Sequence, residues 1–369
     1  MTEVVIEVRA GVGWITLDRP KALNALSLPM IRDLAAALLA WRTDPAVRAV
    51  AIRGQGREQP FGTFCAGGDI RFFHAAALTG NPELEDFFTE EYELNHLVHT
   101  FPKPYVAFLD GIVIGGGMGI AGHGRAGAGL RLVTERTRMS MPETNIGLFP
   151  DVGGGYFLGR CPGRLGEYLA LTGSVVAGTD AVAARLADRL VDSAQLPALW
   201  DVLAGGGLEA LQFKLDTSAP ASDLQASSGS WPAESIDRVF GLGSLAAMVS
   251  ALETDDTSWA RETATALRMR SPLMLHVTLE QLRRGRSMSL AENLRMERGM
   301  VRRCFHIRSG GASETVEGIR AFAVDKDRKP RWNPARIEDV TPDQVAAFFD
   351  SPWPAYAHPL RQLCAAPGA

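Results

Sequence analysis

Apolar and polar residues alternate over residues 3–8 and 12–17, on either side of Ala10-Gly11, and this predicts a β-hairpin. Past Ser27, an N-cap residue, Met30, Leu34, Leu38 and Trp41 fall on one helical face. Residues 47–52 form a short apolar run that predicts a strand, and a glycine-rich polar loop follows at 53–62. Phe64-Cys65-Ala66-Gly67-Gly68-Asp69 then leads into a helix from about Ile70, with Asp69 as its N-cap. A second helix is predicted over 84–101 and a buried strand over 104–109. Gly115-Gly116-Gly117-Met118-Gly119 opens a helix of small residues, and strands are expected at 130–133 and 138–141. Strand and helix patterns alternate through roughly the first 190 residues, which argues an α/β core. Residues 218–234 are rich in Ser, Ala and Pro and read as a loop, and the pattern from 245 to 300 is helical. The expected organisation is an α/β core over 1–200 and a helical C-terminal region over 201–369.

Composition narrows the classes. With 369 residues, 46% hydrophobic and 22% charged, the chain is globular and long enough for one large domain or several. A net charge of −4 does not suit a nucleic-acid binder. Cys65, Cys161, Cys304 and Cys364 form no CxxC pair and no metal-ligand spacing, so no metal is expected and a reduced compartment is. No apolar run reaches the ~18 residues of a membrane helix, and the opening residues enter strand alternation directly, with no leader pattern. The expectation is a cytoplasmic protein without a membrane partner.

Candidate chemistry sits in three places. The loops at Gly67-Gly68 and Gly115-Gly116-Gly117 each follow a strand and open a helix, about 50 residues apart. Amides left free there would make an oxyanion hole if they converged; the alternative is a pair of tight turns where only glycine fits. The second place is the segment 141–155, where Glu143 and Asp151 stand in apolar, Gly/Pro-shaped surroundings. Acids in such loops are costly unless paired or used. Glu143 is a catalytic group or a first-turn charge, and Asp151 is a catalytic group or the N-cap of a helix expected at 152–159. The third is Glu91, which lies within ~40° of the centre of the stripe Phe87, Leu94, Val98 and Phe101. Glu90 lies near the other edge, so spacing does not choose between them. His123 is a packed core histidine or a base, and no serine or cysteine is framed as a nucleophile.

These segments resemble the crotonase (enoyl-CoA hydratase/isomerase) superfamily. The resemblance begins at Leu17-Asp18-Arg19-Pro20-Lys21-Ala22-Leu23-Asn24-Ala25-Leu26 and runs through both glycine loops and the Pro142–Gly155 segment. Within that superfamily the chain is most similar to the 3-hydroxyisobutyryl-CoA hydrolase family. Three longer stretches carry this: Glu90-Glu91-Tyr92-Glu93-Leu94-Asn95, Met141 to Leu158, and Glu317-Gly318-Ile319-Arg320-Ala321 with Asp325-Lys326-Asp327 and Pro330-Arg331-Trp332. The resemblance implies a ββα superhelix with C-terminal helices, and hydrolysis of a short 3-hydroxyacyl-CoA in valine breakdown. It implies amides of Gly68 and Gly116 as the oxyanion hole, Glu143 and Asp151 as catalytic acids, and Glu91 as a substrate contact. Coenzyme A, as part of the substrate and with no separate cofactor, is implied at Lys21, Ala22, Asn24, Ala66 and Gly67, mainly through backbone groups. Two departures stand out. The superfamily's hydratases carry a glutamate where this chain has Gly119, which counts against hydration. Residues 124–129 read as an insertion of about four residues relative to the hydrolase pattern, expected to extend a turn. A hydratase or isomerase, and a non-catalytic binding module, stay as alternatives, and so does the choice between a monomer and a homo-oligomer.

Overall fold

The computed structural model describes residues 3–123, 129–217, 229–306 and 313–364. The insertion expected at 124–129 and the loop expected at 218–234 fall largely outside them. The chain divides into two compact units that interleave along the sequence. The first takes Met1–Gly68, Glu93–Ser140 and Val175–Ser230, and the second takes Asp69–Tyr92, Met141–Ser174 and Trp231–Ala369. Neither corresponds to residues 1–200 or 201–369 alone.

Among the described residues nine strands build the first unit: β1 (Val4–Arg9), β2 (Val12–Leu17), β3 (Ala49–Gly54), β4 (Tyr105–Leu109), β5 (Ile112–Ile114), β6 (Gly129–Val133), β7 (Arg138–Ser140), β8 (Val176–Ala177) and β9 (Arg189–Leu190). They form a six-stranded sheet in the order β1-β2-β3-β4-β6-β9 and a three-stranded sheet in the order β5-β7-β8. The hairpin β1–β2 is antiparallel, with Val4 opposite Leu17, and the other pairs of the large sheet are parallel. The central strands β2, β3 and β4 are almost continuously apolar because both their faces are covered. β3 starts at Ala49, two residues later than expected, because Val47 turns back to donate to the Asp44 carbonyl at 3.2 Å.

Trp14, Phe61, Phe108 and Trp200 lie within a core of this unit that is otherwise aliphatic. Trp14 and Trp200 pack with centroids 4.3 Å apart and ring planes tilted by 56°, and Phe108 meets Trp200 edge-on at 5.1 Å. Truncating such a buried ring to alanine costs ~3–5 kcal/mol. The helix Leu28–Thr43 buries Met30, Leu34, Leu38 and Trp41, as its periodicity requires, and Ser27 Oγ accepts from the Met30 amide at 3.4 Å.

The second unit is helical. The helix Ile70–Thr79 is capped by Asp69, whose carboxylate accepts from the Phe72 amide at 3.3 Å. The helices Leu245–Glu253, Ser258–Met269, Pro272–Gly285, Leu290–Phe305 and Glu314–Ile319 each begin after a Ser or Thr that accepts a first-turn amide. Each such cap is worth ~1 kcal/mol, and Ser289 with Glu292 forms a full capping box. Among the described residues no helix is long and apolar enough to cross a membrane.

Candidate active site

In the first unit the two glycine loops lie against each other. Cys65 bridges Val113, its amide donating to the Ile112 carbonyl at 3.0 Å and its carbonyl accepting from Ile114 at 2.9 Å. Gly67 takes φ +93°, where a side chain is strained, and a Cβ there would also lie 3.2 Å from the Ile114 carbonyl oxygen and 3.6 Å from the Gly116 nitrogen. A Cβ on Gly117 would sit 2.5 Å from the Cys65 carbonyl oxygen. The glycines therefore have steric reasons of their own. What they leave over is chemical: Gly116 opens the helix Gly116–Ala121 with no intrahelical acceptor for its amide. Gly68 pairs with Leu26 through its neighbours, the Leu26 amide donating to the Gly67 carbonyl at 2.7 Å. Among the described residues, neither the Gly68 nor the Gly116 amide donates to a loop carbonyl.

The residues implied as coenzyme A contacts divide by role. Asn24 is fully buried and its side chain is committed within the fold. Its Nδ2 donates to the carbonyls of Gln55, Thr63 and Phe64 at 3.0–3.1 Å, and its Oδ1 accepts from the Arg19 amide at 2.9 Å. The Ala66 amide donates to the Leu23 carbonyl at 3.0 Å, and the Ala22 amide to that of Arg19 at the same distance. Lys21 is exposed on the 3₁₀ turn Pro20–Ala22. His123 is buried, its ring 6.1 Å from that of His99.

In the second unit the acids converge. Glu143 begins the 3₁₀ turn Glu143–Ile146, shaped by Pro142 before it, and its Oε2 is buried with no hydrogen-bond partner. Asp151 is 5% exposed and accepts from the Tyr92 hydroxyl at 2.8 Å. Glu91 is 2% exposed, with Oε1 unpartnered, while Glu90 is half-buried. Among the described residues no Lys, Arg or His forms an ion pair with Glu91, Glu143 or Asp151.

Burial without a countercharge disfavours ionisation. It pushes the Asp151 carboxyl up to about 6, against the pull of the Tyr92 hydroxyl and its own backbone amide. Burial, then the Asp151 charge, push Glu143 well above the usual carboxylate range. Glu91 is raised by burial and by Asp151 and Glu143 in turn. The Asp151 charge raises Glu143, and both charges raise Glu91, so each ionisation makes the next harder.

The helix after Asp151 runs over Gly154–Leu158, not 152–159, and Gly153 is its N-cap. The capping role for Asp151 is thereby corrected. The backbone passes through Val152 at φ 52° and Gly153 at φ 90°, which carries the helix start past the reach of the Asp151 side chain.

Two participants were not anticipated from sequence. Tyr92 is one. Glu297 is the other, fully buried on Leu290–Phe305 and pushed to about 8, chiefly by burial. A signal for it existed, since Leu290, Leu294, Glu297, Val301 and Cys304 follow helical spacing and place an acid on an apolar stripe. Among the described residues no group of three or more His, Cys, Asp or Glu is arranged to hold a metal ion.

The sequence profile of the enoyl-CoA hydratase/isomerase family matches residues 12–349. The chain is 41% identical over 345 residues to the mitochondrial 3-hydroxyisobutyryl-CoA hydrolase of Xenopus tropicalis, across 92% of this chain and 86% of that one. It is 39% identical over 357 residues to a probable 3-hydroxyisobutyryl-CoA hydrolase of Arabidopsis thaliana, across 95% and 92%. Among solved structures it is similar to a carnitinyl-CoA dehydratase from Mycobacterium thermoresistibile, at a TM-score of 0.85 and 36% identity over 98% and 99% of the two chains. It is similar too to an enoyl-CoA hydratase from Rhodobacter sphaeroides, at 0.83 and 40% over 95% and 97%. With nearly its whole length matched in this way, the chain belongs to the enoyl-CoA hydratase/isomerase family, the crotonase superfamily.

Proposed function

We propose that the chain hydrolyses 3-hydroxyisobutyryl-CoA to the free 3-hydroxy acid and coenzyme A. The curated relatives at 38–41% identity carry that activity in their names. The observation that carries the reading is the placement of the acids. Glu143 and Asp151 are buried together, whereas position 119, where the family's hydratases hold a second carboxylate, is a buried glycine in a helix.

In this reading the amides of Gly68 and Gly116 donate to the thioester oxygen and stabilise the charge that develops on it. One such donor contributes ~3 kcal/mol of transition-state stabilisation. Glu143, with one oxygen unpartnered, attacks the carbonyl carbon or takes a proton from the water that does. Attack gives a tetrahedral adduct whose collapse breaks the C–S bond and expels the thiolate, which takes up the proton released by the attacking water. On the nucleophilic route the same break leaves an acyl–Glu143 anhydride, and a water then cleaves it to the free acid and Glu143, its proton going to the thiolate. Asp151, held by Tyr92, receives the 3-hydroxyl or the water, and Glu91 contacts the acyl group. Of the five positions assigned to coenzyme A, Lys21 offers an exposed cation suited to its phosphates, while Asn24 serves by shaping the loop.

Thiol release from a panel of short acyl-CoAs, read with a thiol reagent, tests the proposal. Release of free coenzyme A, fastest from 3-hydroxyisobutyryl-CoA, is expected. A change in enoyl absorbance without thiol would make the protein a hydratase, and neither signal would leave a binding module.

A further inference from the structure

We propose that Glu297 is a positioning residue for this reaction: from the helix Leu290–Phe305 it fixes the turn that carries Asp151. The inference rests on Asp151 being a catalytic acid.

The turn is held in an unfavourable shape. Val152, next to Asp151 and 1% exposed, sits at φ 52°, in the left-handed region that β-branched residues avoid. Such a conformation persists only where its surroundings over-determine it. Here they do, on both sides of Asp151. Glu297 Oε2 accepts from the Gly153 amide at 2.8 Å and Oε1 from the Gly155 amide at 3.1 Å. Gln281, on Pro272–Gly285, donates to the Pro150 carbonyl at 2.7 Å and to Glu297 Oε1 at 2.8 Å. Asn293 Nδ2 donates to the same oxygen at 2.6 Å. Residues 150, 153 and 155 are thus tied to one carboxylate and its amide neighbour, while Tyr92 holds the Asp151 side chain.

Packing alone does not call for this arrangement. All four groups on Glu297 are N–H donors, so a carboxylate satisfies them and an amide at position 297 cannot, because it would turn an NH₂ toward another donor. Among the described residues no Arg or Lys forms an ion pair with Glu297. A buried, unpaired acid is a costly way to join two helices, and apolar residues of similar size would do so more cheaply. Its oxygens hold the amides that follow Val152, and Gln281 holds the carbonyl two residues before it, so the strained residue lies between the ties. The closeness of fit is visible at Gly155, where a Cβ would fall 2.4 Å from Asn293 Oδ1.

A double-mutant cycle on the full chain tests this, with thiol release giving kcat and KM for Glu297→Gln, Asp151→Asn and the double variant. If Glu297 acts through Asp151, Glu297→Gln lowers kcat at least ~10-fold with KM within about 3-fold, and costs nothing further in the Asp151→Asn background. Equal fractional losses in both backgrounds, or kcat and KM changing together, would make Glu297 a structural residue and overturn the proposal. Wild-type turnover by Asp151→Asn would instead remove the catalytic role of Asp151, and the Glu297 role with it. If Glu297→Gln does not fold, Gln281→Met, which cuts the Pro150 tie and keeps the carboxylate, takes its place in the cycle, and the same outcomes support or overturn the proposal.

Discussion

Tyr92 donates its hydroxyl to Asp151 Oδ2 at 2.8 Å, and both side chains are buried in the helical unit. This bond is the largest influence opposing the upward push of burial on Asp151. Replacing Tyr92 with Phe should therefore raise the Asp151 pKa above about 6. A hydrogen bond to a charged acceptor is worth about 1.5 kcal/mol, and a pKa unit about 1.4 kcal/mol, so the shift should be roughly 1 unit. If turnover needs ionised Asp151, the acid limb of the kcat/KM profile moves to higher pH by that amount. An unmoved limb in a folded variant would show that Tyr92 does not tune the acid.

Much of this was legible locally. Ser27 and Asp69 are caps because a short polar side chain precedes an apolar stripe, and both cap as expected. Glu91 is buried because of its place on a stripe, although the choice over Glu90 came from family resemblance. Asp151 shows where local reading stops. An acid before a glycine-rich helix fits an N-cap equally well, and the matter turns on one positive φ at Val152 and on amides claimed by Glu297. That carboxylate is 144 residues along the chain, and no local spacing reports such a partner. The interleaving of the two units is hidden for the same reason, since composition changes along the sequence whereas compaction joins distant stretches.

The glycine triplet should separate into two kinds of position. Gly117→Ala places a methyl 2.5 Å from the Cys65 carbonyl oxygen, against backbone that cannot move aside cheaply. It should cost ~1–3 kcal/mol of stability, with activity falling only as the folded fraction falls. Gly116→Ala keeps its amide but crowds whatever that amide receives, so turnover should drop far more than the melting temperature. Parallel losses of activity and stability at both positions would make the whole triplet structural.

The buried acids also set the sign of a pH dependence. Glu91 and Glu143, raised first by burial, bind protons more tightly in the folded chain than in the unfolded one. Stability should then fall as pH rises from the ordinary carboxylate range through the folded pKa values. His276 and His358, held below their ordinary value of 6.5 by burial, act with the opposite sign, and their contribution is complete about one unit above that value. The clean window therefore opens at about pH 7.5, above which the melting temperature should decline. Glu143→Gln should flatten that decline. A melting temperature that holds or rises across the window would contradict the raised pKa of the cluster.

Glu143 carries the sharpest test. Its Oε2 is buried and unpartnered, so Glu143→Gln removes charge and basicity without breaking a hydrogen bond at that oxygen. The change also removes an acid whose ionisation burial, and then the Asp151 charge, oppose. Stability should therefore hold or rise, and the Asp151 pKa should not increase. Turnover should fall at least ~100-fold, the low end for loss of a general base, whether Glu143 attacks the carbonyl or activates water. The two routes differ in what can be trapped. An acyl-enzyme anhydride reacts with hydroxylamine at Glu143 during turnover, and mass spectrometry of the peptide containing residue 143 would detect the hydroxamate. A modified peptide in the wild type, absent from the Gln variant, identifies nucleophilic attack, and an unmodified one under full turnover favours water. Near-normal hydrolysis by a folded Gln variant would remove Glu143 from the mechanism altogether, because neither route survives the loss of its carboxylate.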